Sequence, residues 1–282
     1  MRHQRTIKEQ AIFKGKGIHT GREVTIKISQ ASENRGLVFI RSDIEGNPAI
    51  SADISNLYSG SGSLRCTFLK KDNAGVKTTE HLMAALSGLS IDNAIIEIDS
   101  EELPAMDGSS LDYANSLNEA GVIEQDSLKR EFILKEIVSV KNDNSIIIAA
   151  PNEHFKITYI LNIPQGDMDQ CAEFSYKSPD GKRELFLRNI APARTFCSES
   201  EVAEIQKMGL GKGGDYKNTL VIKNGRPIKN DYRVPNELSS HKILDMLGDL
   251  ALLNSDIKAH FIAVKSGHMM NAVLLRRLNE LS

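Results

Sequence analysis

Tryptophan is absent from this 282-residue chain, and aromatic residues make up only 5% of it. So few rings cannot supply a row of stacking platforms for bases. Charge points the same way: 35 Lys and Arg against 37 Asp and Glu leave a formal net charge of −2, not the basic surface that phosphate backbones select. No nucleic-acid partner is expected. Long apolar runs are missing as well. No stretch approaches the ~18 residues that mark a membrane-spanning helix, and the opening MRHQRTIKEQAIF is polar where a signal peptide would carry its apolar region. The expectation is a cytoplasmic chain with no transmembrane segment and at most peripheral membrane association. Cysteine is scarce: Cys66, Cys171 and Cys197 are far apart, odd in number and in no CxxC pair, which argues against a disulfide framework and a thiolate zinc site. Any metal must then be held by histidine and carboxylate.

What is present is a succession of short apolar or alternating runs. EVTIKIS, GLVFIR, NAIIEID, SIIIAA, FKITYIL, NTLVIK and HFIAVK read as strands bounded by Gly, Asn, Asp and Pro turns. Between them TTEHLMAALSGL, SSLDYANSLNEAG, ESEVAEIQKMG, SSHKILDMLGDLALL and NAVLLRRLNE carry helical spacing. Strands and helices do not alternate strictly, so the fold class is α+β rather than a doubly wound sheet. The polar stretch EQDSLKRE, residues 124–131, reads as a linker between two halves with a similar order of elements, giving domains 1–126 and 127–282. No repeat is visible in the letters themselves.

GLGKGG places Gly209, Gly211 and Gly214 in the GxGxxG spacing of dinucleotide sites. That motif needs a strand before it and a helix after it, so that the helix N-terminus meets the pyrophosphate. Here the order is reversed, ESEVAEIQKM being helical and NTLVIK extended. A helix-to-strand turn is the better reading, and a Rossmann oxidoreductase is disfavoured.

In SSHKILDMLGDLALL the spacing i, i+4, i+8 stacks His241, Asp245 and Asp249 on one stripe of a helix, with Ile243, Met246, Leu247 and Leu250 on the opposite side. Ser239 or Ser240 suits the N-cap. Such a stripe is most often a solvated face, yet one His and two short Asp are the side chains that bind divalent ions with little rotamer entropy to lose. In KTTEHLMAALSGL, Thr78 or Thr79 would cap a second helix and place Glu80 and His81 in its first turn, where the helix dipole favours a carboxylate. Taken alone, such a Glu is usually a surface residue and such a His a structural one. Together they supply what the stripe lacks, a third ligand and a nearby carboxylate free of the metal. There is no HExxH, so ligands would come from separate helices. KSGHMMN puts His268 on a turn after a strand, where catalytic side chains are commonly presented. In APARTFC, Arg194 and Thr195 read as no more than a strand start.

The blocks QRTIKEQAIFKGKGIHTG, KTTEHLMAALSGLSIDNA, LPAMDGSS, ARTF, GLGKGG, HKILDMLGDL and KSGHMMN, in that order and spanning about residues 4 to 275, resemble the zinc-dependent UDP-3-O-acyl-N-acetylglucosamine deacetylase family of lipid A biosynthesis. The resemblance implies two similar α+β domains, each a small mainly antiparallel sheet layered with two helices, with the active site at their junction. It implies one Zn²⁺ per chain, with Fe²⁺ as an alternative ion in the cell, bound by His81, His241 and Asp245. Two neutral imidazoles and one carboxylate leave an open position of the kind hydrolytic zinc enzymes use. Glu80 would be the general base, His268 the proton donor or electrostatic stabiliser, Thr195 and Lys242 partners of the oxyanion, and Asp249 the residue orienting His268. Lys265 would meet the diphosphate, and an insert at about 195–222, with Phe196, Val202 and Ile205, would line an acyl groove. The substrate would be a UDP-linked acylated amino sugar and the enzyme a monomer. Asp107 is expected to be a structural turn residue, and His19 receives no role. Ser198 and Ser240 depart from the family pattern, an aromatic and a basic residue respectively in many relatives, which bears on acyl preference and affinity. A zinc amidohydrolase for another N-acylated sugar or peptide would keep every ligand. A non-catalytic binder of a nucleotide sugar would have no use for Glu80.

Overall fold

The computed structural model describes residues 1–60, 65–163 and 168–281. In the first half, β1 (His3–Ile7), β2 (Ala11–Lys16), β3 (Glu23–Gln30), β4 (Leu37–Arg41) and β5 (Ala49–Ser51) lead to a small insertion of β6 (Leu57–Tyr58), β7 (Phe68–Lys71) and β8 (Ala74–Lys77). Helix α1 (Glu80–Gly88), β9 (Ala94–Ile98), α2 (Leu111–Glu119) and β10 (Val122–Leu128) complete it. The second half runs β11 (Glu131–Ile133), β12 (Val138–Lys141), β13 (Ile146–Pro151), β14 (Phe155–Ile163) and β15 (Met168–Tyr176). An insertion of α3 (Pro179–Asn189), β16 (Phe196–Ser198), α4 (Glu199–Lys207), β17 (Leu220–Lys223) and β18 (Arg226–Pro227) follows, then α5 (Glu237–Leu250), β19 (Asp256–Val264) and α6 (His268–Glu280).

The two main sheets repeat one topology. The first is ordered β2-β3-β9-β4-β5 and the second β12-β13-β19-β14-β15, with β11 also on β19. In each the central strand is antiparallel to the strand before it in that order, β3 or β13, and parallel to the strand after it, β4 or β14. The repetition thus lies in strand order and not in the letters. Alternation explains which face is covered: Val24, Ile26 and Ile28 of β3, and Ile257, Ala259, Phe261 and Ala263 of β19, point into the core while their neighbours stay partly exposed. One hydrophobic core runs through both halves.

Helices α1 and α5 cross at the centre. Gly248 makes this possible, because a Cβ there would lie 2.2 Å from the Glu80 carbonyl oxygen. Helix α5 is consequently buried on nearly all sides, its polar stripe included. A charged cluster fastens a second seam between the halves. Arg2 bonds both oxygens of Asp92 (2.6 and 2.8 Å) and Asp256 (3.1 Å), Lys129 reaches Asp92 at 3.0 Å, and buried Lys182 donates to Ser87 Oγ at 3.2 Å.

Several sequence expectations change. Residues 124–131 are not a free linker: β10 crosses the 126/127 boundary, paired antiparallel with β1, and only Lys129 and Arg130 separate it from β11. Its polar residues reflect a partly exposed two-stranded ribbon. Neither Ser239 nor Ser240 caps α5, which starts at Glu237 behind Asn236 in the left-handed region (φ 52°). Ser239 instead donates to the Gln170 carbonyl at 2.9 Å. Thr79 occupies the cap position of α1 without a side-chain capping bond. GLGKGG is a helix-to-strand turn as expected, and it docks on the first half: Gly213 N–H donates to Ile18 O at 3.0 Å, and a Cβ on Gly213 would lie 2.3 Å from Gly17 O.

Candidate metal centre and catalytic cleft

The crossing of α1 with α5 brings His81 from the first turn of one helix against the polar stripe of the other. His81, His241 and Asp245 offer ligand atoms that all lie within 4.8 Å of one another, and all three residues are buried. Asp245 Oδ1 faces His241 Nε2 at 3.3 Å and His81 Nε2 at 3.8 Å. That oxygen is buried and accepts no hydrogen bond among the described residues. An orphaned carboxylate oxygen facing two imidazoles is costly unless a cation completes it, so the donor set fits a divalent metal. His241 Nδ1 lies 3.1 Å from the Ala193 carbonyl, a contact that holds the proton on Nδ1 and leaves Nε2 with its lone pair toward the centre. Burial, with His241 alongside, pushes His81 down to about 3, and burial lowers His241 as well. Both rings are therefore neutral, as ligands must be. Burial opposes the charge on Asp245, but the Lys242 ammonium and the charged His268 hold it well below the usual carboxylate range.

Around this centre stand four further groups. Burial, reinforced by Asp245 and Asp249 against the pull of His268, pushes Glu80 up to about 7. Its Oε2 accepts the Thr67 backbone N–H at 2.9 Å and its Oε1 lies 3.7 Å from His268 Nε2. His268 is the first residue of α6 and not a loop residue as expected, with Gly267 as N-cap. Burial works against its charge, yet Asp249, Glu80 and Asp245 push it up to about 10. Asp249 Oδ2 takes His268 Nδ1 at 2.9 Å and Asn271 Nδ2 at 2.7 Å, while Oδ1 accepts the Thr67 hydroxyl. Lys242 Nζ bonds Asp245 Oδ2 at 2.7 Å and sits 5.4 Å above the Phe196 ring.

A cleft of about 930 Å³ opens from the centre. Of the residues singled out in the sequence, Glu80, His81, Thr195, Phe196, Val202, Ile205, Lys242, Lys265 and His268 line it, as does His19. His241, Asp245 and Asp249 lie behind this lining. Thr195 stands ahead of β16 because buried Arg194 is clamped to Glu237 in the first turn of α5 (Nε–Oε1 2.8 Å). Lys265 adopts φ 51° in a loop held by Ser145 Oγ on the Lys265 carbonyl (2.6 Å) and by Tyr159 OH on the Ser266 carbonyl (2.5 Å). Asp107 is a turn residue as expected, accepting Ser109 N–H at 3.0 Å and pairing with Arg233. Sequence reasoning missed Thr67, Glu237 and Tyr159. Each acts on another residue, and nothing in its spacing marks it.

With the geometry in place, comparison with known proteins is specific. The family model for UDP-3-O-acyl N-acetylglycosamine deacetylase matches residues 4–280. A protein of Syntrophus aciditrophicus named UDP-3-O-acyl-N-acetylglucosamine deacetylase is 37% identical over 283 residues, covering 99% of this chain and 87% of the relative. Proteins of the same name from Chlamydia abortus and Myxococcus xanthus are 36% and 34% identical, covering 99% and 98% of this chain and 98% and 86% of theirs.

Proposed function

The chain belongs to the UDP-3-O-acyl N-acetylglycosamine deacetylase family, and from that premise we propose that it hydrolyses the N-acetyl group of UDP-3-O-acyl-N-acetylglucosamine in lipid A biosynthesis. The products are acetate and a UDP-3-O-acyl-glucosamine with a free amine. The observation that carries the reading is the orphaned Asp245 Oδ1 between His81 and His241, set beside a carboxylate whose proton affinity is tuned to neutrality. These three residues would hold one Zn²⁺. When bound, the ion supplies Lewis acidity and makes water a usable nucleophile near neutral pH.

The remaining chemistry falls to the side chains. Glu80, pushed up to about 7, is partly ionised at neutral pH, and its carboxylate form accepts the proton of the attacking water. Addition to the acetyl carbonyl places negative charge on its oxygen, near which the Thr195 hydroxyl and the Lys242 ammonium act as donors. The C–N bond then breaks only if the nitrogen receives a proton. His268, kept charged by Asp249, donates it or stabilises its arrival from Glu80. Lys265 faces the diphosphate, and Phe196, Val202 and Ile205 offer a dry wall on which each buried methylene of an acyl chain gains ~0.8 kcal/mol. All these groups come from one chain, and no helix among the described residues is long and apolar enough to cross a membrane. The proposed enzyme works as a monomer in the cytoplasm.

The test is metal analysis of the purified protein together with acetate release from acylated and unacylated UDP-N-acetylglucosamine. Chelation abolishes release, Zn²⁺ restores it, and the acylated sugar is strongly preferred. Release that survives complete metal removal would overturn the reading. Equal turnover of the unacylated sugar would move it to a broader amidohydrolase.

A further inference from the structure

Thr67 touches three helices of the site, and it comes from the first-half insertion, directly ahead of β7, not from a helix. It is buried. Its backbone N–H donates to Glu80 Oε2 at 2.9 Å, its hydroxyl donates to Asp249 Oδ1, and the same hydroxyl oxygen lies 3.0 Å from His268 Nδ1. Its carbonyl accepts the Thr79 N–H at 3.3 Å, at the head of α1.

We infer that Thr67 is a positioning residue for the deacetylation, fixing the Asp249–His268 pair through its hydroxyl and Glu80 through its amide. The inference rests on the roles proposed above for Glu80 and His268. The geometry divides the work. Asp249 Oδ2 is engaged by His268 and Asn271, and among the described residues only the Thr67 hydroxyl holds Oδ1 and stops the carboxylate rotating. A rotated Asp249 releases His268 Nδ1, and the imidazole loses the orientation that points Nε2 at Glu80 Oε1. The amide bond engages Glu80 Oε2 and thereby leaves Oε1 as the oxygen turned toward His268. Supporting contacts of this kind govern activity while leaving the groups they orient in place.

The experiment compares Thr67→Val, which removes the hydroxyl and keeps the shape and the amide, with Thr67→Ser, which returns the hydroxyl, each with and without His268→Ala. Thr67→Val is expected to lower kcat about 10- to 100-fold with KM within about threefold, full zinc content and a melting temperature lower by a few degrees, because Asp249 Oδ1 loses its partner. Thr67→Ser recovers most of the loss. In the His268→Ala background Thr67→Val adds little, since it acts through the absent ring. In protein labelled with ¹⁵N-histidine, the downfield Nδ1 proton of His268 disappears in Thr67→Val and returns in Thr67→Ser. Unchanged kcat in Thr67→Val, or a loss that serine does not rescue and that follows zinc content or melting temperature, overturns the inference. A His268→Ala enzyme that keeps full kcat instead strikes at the proposed mechanism, which separates the two failures.

Discussion

At the scale of single residues, the site divides into groups that hold an ion and groups that move a proton, and substitutions should separate them. Glu80→Ala is expected to keep zinc and lose about 10²- to 10⁴-fold in kcat, the usual worth of a general base. His81→Ala and Asp245→Ala lose zinc and activity together, and Asp245→Ala also removes the ion-pair partner of the half-buried Lys242 ammonium. Zinc content measured beside acetate release decides this, and equal metal loss in all three would show the roles to be wrongly divided. The sequence made part of this legible. A His and two Asp at helical spacing, with a Glu-His pair in a second helix, marked candidate ligands and a candidate free carboxylate, and the family resemblance divided them into roles. It could not say that the stripe is buried, because burial of Asp245 and Asp249 depends on α1, joined to α5 only by the fold. Thr67 was invisible for a related reason: a single threonine directly ahead of β7 has no periodicity to betray it.

At the scale of elements, the contact between α1 and α5 depends on a missing side chain. Gly248→Ala drives a methyl group into the Glu80 carbonyl, so the helices must part. The expected cost is about 1–3 kcal/mol of stability, with zinc affinity falling as His81 moves away from His241 and Asp245. Urea denaturation and zinc titration read the two effects, and a variant unchanged in both would contradict the close crossing. Strands and helices with clear periodicity, such as β3, β19 and α1, were legible from their letters. Helix α3 was not: PDGKRELFLRN has its apolar residues clustered at 185–187 instead of spread along a stripe. Nor was β10, whose polar residues suit a ribbon with only β1 as neighbour. The start of α5 escaped because its turn is made by left-handed Asn236 and not by a capping serine.

At the scale of the whole molecule, the seam around Arg2, Asp92, Lys129 and Lys182 sets a pH dependence away from the catalytic centre. Burial pushes Lys182 down to about 8, below its unfolded value near 10.5. The unfolded chain therefore binds more protons between those pH values, so this lysine costs stability at neutral pH and the cost fades as pH rises through that window. Lys182→Met is expected to raise the melting temperature by several degrees at pH 7, on the order of 1–2 kcal/mol, and to lose the advantage by pH 10. A gain that persists undiminished at alkaline pH would place its origin elsewhere. The repeated sheet carries a different consequence, one of timing. In each half the central strand is made after all the strands that flank it in its five-strand order: β9 follows β2 to β5, and β19 follows β12 to β15. A ribosome that has not yet released residues 256–264 holds β13 and β14 apart by the width of one strand, each presenting unpaired N–H and C=O groups to whatever passes. Messages truncated ahead of Asp256 should thus yield sticky, protease-prone fragments, and catalytic competence should arrive only once β19 has slotted home and α6 has brought His268 to Asp249.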